Sequence, residues 1–156
     1  MKTLVVASCL ATAMALPGLA QAREVTLTTH LKPYNGSGAY LAIYLTDAQG
    51  VYQQTLWVAG KKAKYYKHLS GWARGSGLAP AQYDGISGAS VGSGETLTVS
   101  AELADSLIDA GYQIRIDSAV EDLRDVRAEL ILPLTLQGAG QPANGSTYVQ
   151  SLRYDL

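Results

Sequence analysis

Short runs in which apolar and polar residues alternate set the strongest limit on how this chain folds. A period of two is the signature of half-buried strands, not of helices. Val25, Leu27, Thr29 and Leu31 share one face of the first run, and Thr26, Thr28, His30 and Lys32 share the other. Leu41, Ile43 and Leu45 alternate with Tyr40, Ala42, Tyr44 and Thr46. Asp47-Ala48-Gln49-Gly50 then turns the chain into residues 51–58, which reads as a hairpin. Leu97, Val99 and Ala101 follow against Thr96, Thr98 and Ser100, then Tyr112, Ile114 and Ile116, residues 126–134 and residues 148–154. About seven short strands separated by turn signals predict an all-β, immunoglobulin-like β-sandwich. The ten tyrosines and the absence of phenylalanine suit sheet positions where a ring packs and its hydroxyl stays wet.

One stretch departs from the alternation. Across residues 61–72, Tyr65, Leu69 and Trp72 fall at helical spacing and form one apolar stripe. Gly60 before it and Gly71, Gly75 and Gly77 near its end bound a short helix inside an insertion that runs from about residue 60 to 94. A loop of that length in a compact domain is usually functional or disordered, so function is sought here. Residues 105–110 read as a further helical turn, and 138–145 as a flexible connection.

Residues 1–22 read as a signal peptide: a basic Met1-Lys2 start, an apolar run from Leu4 to Leu16, and small residues at Ala20 and Ala22. The apolar run is too short to span a bilayer, and no second one follows. Cleavage after Ala22 leaves one domain, residues 23–156, with eleven basic and thirteen acidic residues and a net charge of −2. That balance gives no electrostatic reason to expect nucleic acid or an anionic membrane as partner. The single cysteine, Cys9, lies inside the leader, which excludes disulfides, thiolate-bound zinc, iron–sulfur clusters and c-type haem from the mature chain. His30 and His68 are the only histidines, too few for a multi-histidine metal cluster.

Within the insertion stands Asp84-Gly85-Ile86-Ser87-Gly88-Ala89-Ser90. Two glycines and an alanine leave the backbone nearly unshielded, so a second protein's active site can close around it. Ser87 and Ser90 present hydroxyls, and Asp84 adds a carboxylate. A serine alone is a poor nucleophile, and no histidine is close in sequence, so activation has to come from a modifying enzyme.

These residues resemble the flavinylation motif: Asp, a small residue, any residue, Ser or Thr, Gly, Ala, then Thr or Ser. In proteins bearing it, an exported, magnesium-dependent FAD:protein FMN transferase joins FMN to the last hydroxyl through a phosphodiester. The resemblance implies Ser90 as the attachment site and Asp84, Gly85, Ser87, Gly88 and Ala89 as recognition residues. The last position is more often Thr, and here it is Ser. More widely, residues 40–47, the 57–72 stretch with Gly60-Lys61-Lys62 and Lys64-Tyr65, and the Asp84 segment resemble a family of predicted periplasmic proteins, domain of unknown function 2271. Members are associated with flavin-transferase genes and with PepSY-type membrane proteins linked to iron reduction. The resemblance therefore implies a periplasmic electron carrier with covalent FMN.

Lys61, Lys62, Lys64, Lys67 and Arg74 form a basic run with no acid between Asp47 and Asp84. It serves either as a solvated face or to screen a flavin phosphate or meet an acidic redox partner. Among Trp57, Tyr65, Trp72 and Tyr83, the sequence assigns Tyr65 and Trp72 to core and Tyr83, next to Asp84, to the flavin. No metal is assigned to His68. No nucleophile–base pair or paired carboxylates can be read, so a carrier is expected rather than an enzyme. The alternative is an unmodified periplasmic immunoglobulin-like binding or adaptor module that grips a partner through the insertion.

Overall fold

The computed structural model describes residues 21–156; the expected leader, up to residue 20, lies outside them. Nine strands are present among the described residues: β1 (Ala22–Leu31), β2 (Tyr40–Thr46), β3 (Tyr52–Ala59), β4 (Ser87–Gly88), β5 (Thr96–Ala104), β6 (Gln113–Ala119), β7 (Val126–Pro133), β8 (Ala143–Asn144) and β9 (Val149–Asp155). They form two sheets, in the orders β5-β1-β9-β8 and β4-β3-β2-β6-β7. The molecule is an all-β sandwich whose seven long strands are those that the alternation marks; β4 and β8 have two residues each, too few to show a period.

The long strands divide four and three between the sheets, as in a constant-type immunoglobulin sandwich. The second and fifth of them, β2 and β6, pair at the centre of the larger sheet, as strands B and E do in that fold. Here they are flanked by their hairpin partners β3 and β7 instead of by the first and fourth strands. Tight turns explain this. The Asp47 carboxylate accepts the Gln49 and Val51 N–H groups at 2.9 Å each, which locks the β2–β3 hairpin.

Leu27 and Leu31 of β1, Leu41, Ile43 and Leu45 of β2, Ile114 and Ile116 of β6, and Leu152 and Tyr154 of β9 meet in the core between the sheets. A second core lies on the outer face of the larger sheet. Ala42 and Tyr44 of β2 and Val58 of β3 pack there against Tyr66, Leu69 and Trp72 of the insertion. β2 is therefore buried on both faces beyond its first residue, which is why its polar-side positions are Ala and Tyr and not charged groups.

The insertion's helical stretch is not the single helix expected over residues 61–72. It is a 3-10 helix at Ala63–His68 followed by a short α-helix, α1 (Ser70–Ser76). Tyr66, Leu69 and Trp72 are its buried apolar residues, each three positions from the last, and Tyr65 stays partly exposed. A 3-10 turn has three residues per turn, so its stripe follows that spacing. The buried Asp117 carboxylate of β6 pins α1 by accepting the Trp72 N–H at 2.8 Å. It also accepts the Tyr44 hydroxyl at 3.0 Å and the Ala128 N–H at 2.7 Å. The Trp72 indole N–H donates to Thr55 Oγ1 at 2.8 Å. Nor is the 138–145 connection free: β8 pairs with β9, and the Gly140 N–H donates to the Tyr154 carbonyl at 2.8 Å.

Candidate functional site

Residues 84–90 are strung along the rim of the larger sheet. β4 lies parallel to the end of β3, with Val58 opposite Ser87 and Ala59 opposite Gly88. The Val58 N–H donates to the Ile86 carbonyl at 3.0 Å, and the Gly60 N–H to that of Gly88 at 2.8 Å. Beyond Ser90, Val91 and Ala39 exchange both backbone hydrogen bonds, at 2.7 and 3.0 Å. The segment is thus fixed by backbone hydrogen bonds at both ends.

Local sequence explains the path. Pro80 starts a 3-10 turn, and its carbonyl accepts the Tyr83 and Asp84 N–H groups at 3.0 and 2.9 Å. Gly85 then takes a φ of 79°, a left-handed conformation that glycine adopts without penalty. Gly88 is needed for space: a Cβ there would lie 2.8 Å from the Trp57 indole. Only a bare backbone lets β4 close on β3 over that ring.

Ser90 and Ala89 are exposed and line an open groove of about 850 Å³, within the ~300–1,000 Å³ typical of ligand pockets. Tyr40, Lys61, Lys62, Tyr65 and His68 line it as well, and the β6–β7 turn contributes Glu121, Asp122 and Asp125. The Tyr40 and Tyr65 rings meet edge to face, centroids 5.8 Å apart. Tyr40 is held in place, since its hydroxyl accepts the Lys62 N–H at 3.2 Å. His68 Nδ1 lies 2.9 Å from an Asp125 carboxylate oxygen. This Asp–His pair shares the groove with Ser90, but Ser90 makes no hydrogen bond to the imidazole among the described residues. A nucleophile–base–orienter chain is not assembled there.

Of the other residues singled out in the sequence, Asp84 and Gly85 are exposed at the turn, and Ser87 and Gly88 form β4. Burial raises the Tyr66 hydroxyl above the ordinary tyrosine range, and the neighbouring Ser87 hydroxyl works against that rise. Tyr83 is partly buried in the second core, edge-on to Tyr66 at 5.1 Å and to Trp72 at 6.1 Å, and is not among the groove residues. Sequence reasoning did not connect Tyr40, or the 121–125 turn, with Ser90. Tyr40 lies 50 residues away in a strand of its own, and only the Ala39–Val91 bridge brings them level.

Residues 22–151 match the family described as predicted periplasmic protein (DUF2271). The chain belongs to this family. Among curated proteins and among solved structures, no match to it was found. No helix among the described residues of this DUF2271 chain is long and apolar enough to cross a membrane.

Proposed function

We propose that this DUF2271 protein is exported by way of residues 1–22 and acts as a periplasmic electron carrier bearing FMN on Ser90. The observation that carries the reading is the acceptor-like segment itself. Asp84-Gly85-Ile86-Ser87-Gly88-Ala89-Ser90 ends in an exposed hydroxyl at the wall of a groove of about 850 Å³. The residues fit the group: Ser90 offers the acceptor oxygen, Lys61 and Lys62 offer positive charge, and the volume suits a cofactor.

The attachment chemistry is a phosphoryl transfer supplied by a FAD:protein FMN transferase. Ser90 Oγ bonds to the FMN phosphorus of FAD as the pyrophosphate bond to AMP breaks, AMP leaves, and a base of the transferase takes the hydroxyl proton. Once bound, FMN supplies the redox chemistry. The chain tethers and orients it and presents it outside the cytoplasm. Family resemblance extends the reading to a PepSY-type membrane partner linked to iron reduction.

Co-expression with the transferase followed by intact mass tests the proposal. A gain of one FMN less one water, with colour that survives denaturation, is the expected result. An unchanged mass overturns it. A colourless protein whose partner binding is unaffected by Ser90→Ala would favour the adaptor module.

A further inference from the structure

Two strand registers converge on Ser90. On one side β4 runs parallel to β3 with Ala59 opposite Gly88, and both chains leave the sheet there, one toward Lys61 and the other toward Ser90. On the other side Ala39 bridges Val91 in antiparallel sense, so Tyr40 comes level with Ser90. The acceptor hydroxyl lies over Gly38, where a Cβ would come within 2.7 Å of it, and Ser90 lines one groove with Lys61, Lys62, Tyr40 and Tyr65.

The aromatic side of this groove is built rather than incidental. The Tyr40 ring covers Gly60 so closely that a Cβ there would lie 2.4 Å from it. Its hydroxyl is tied to the Lys62 backbone, and Tyr65 abuts it edge to face at 5.8 Å. Lys64 Nζ lies 4.8 Å from the centre of the Tyr65 ring. Both tyrosines are only partly buried, so ring surface remains available to the groove. Such a fixed corner meets a planar aromatic ligand at little conformational cost, because few rotors are left to freeze.

We propose that the Tyr40–Tyr65 corner is the bed for the isoalloxazine ring, and that Lys61 and Lys62 screen the phosphodiester on Ser90. This rests on the reading of Ser90 as the FMN acceptor, and it assigns the ring to a different surface from Tyr83. Lys61 and Lys62 are exposed, so their charge reaches the phosphate partly screened by water and salt.

Fluorescence of the flavin on the holoprotein tests it. An electron-rich phenol against an isoalloxazine ring quenches its emission, and contact slows its rotation. At equal label, verified by intact mass, the native protein should fluoresce several-fold less than the same protein unfolded in guanidinium, with high anisotropy. Tyr65→Leu, a change at a partly exposed side chain, should recover much of that emission and lower the anisotropy; Tyr40→Leu should do the same where it folds. Tyr83→Leu should leave both signals as they were. Full label with no quenching in the native protein, or recovery by Tyr83→Leu and not by Tyr65→Leu, overturns the ring assignment and leaves the Ser90 reading standing. No label at all overturns the Ser90 reading and this inference with it.

Discussion

Ser87 and Ser90 stand three residues apart with the same chemistry, but their surroundings separate them. Ser87 is in β4, its backbone paired to Val58 and its hydroxyl beside that of Tyr66, whereas Ser90 lies past the end of that strand at the groove. Ser90→Ala should therefore abolish covalent flavin, Ser87→Ala should lower its yield, and Ser90→Thr should retain it; peptide sequencing of the flavin-bearing fragment reads all three. Asp84→Ala should reduce transfer while leaving both hydroxyls in place. Gly88 offers a sharper check on the geometry. Gly88→Ala puts a methyl 2.8 Å from the Trp57 ring, an overpacking that typically costs about 1–3 kcal/mol. Thermal melts should show that loss, and adding Trp57→Leu should recover part of it, because the second change empties the space the first one fills. The motif was legible in the sequence because its residues are contiguous. The groove was not, since Tyr40, Lys61 and Asp125 reach it only through pairings between distant segments.

At the scale of elements, the insertion behaves as a third layer laid on the larger sheet. Two attachments dominate: Trp72, fully buried against the outer face, and Asp117, whose carboxylate holds α1, β2 and β7 together. Trp72→Ala should cost about 3–5 kcal/mol, and Asp117→Ala about 3 kcal/mol because it leaves three donors, two of them buried, without an acceptor. Both changes should raise hydrogen exchange across residues 61–88 more than in β1, which borders the other core. Period-two runs revealed the seven long strands because each turns one face at least partly away from solvent, and alternation is what that requires. The second core was harder to see. β2 is covered on both sides, so Ala42 and Tyr44 look like ordinary outward positions until the insertion is placed over them. The 3-10 geometry shifted the buried ring from Tyr65 to Tyr66, a difference of one residue that helical spacing alone does not detect.

For the molecule as a whole, its tyrosines set an alkaline limit. Tyr34, Tyr44, Tyr66 and Tyr148 all titrate above the ordinary 10.0, with burial the leading cause in each and the Asp117 carboxylate adding to it at Tyr44. Unfolded tyrosines lose their protons near 10.0 while these four keep theirs, so unfolding releases protons and stability falls as pH rises through that value. Below it, their contribution is fully present. Urea midpoints measured between about pH 8 and 11 should be level and then decline, with tyrosinate absorbance appearing as the protein opens. Tyr44→Phe should flatten the decline. Chain order imposes a limit of another kind. β1, the first strand, occupies an interior position in its sheet, paired on one side with β5 from Ala22↔Ala104 and on the other with β9 from Thr26↔Asp155. A chain emerging N-terminus first can pair β1 with β5 but must leave the other edge of β1 open until β9 follows, so the sheet closes late, at the millisecond-to-second pace of topologies ruled by distant pairings.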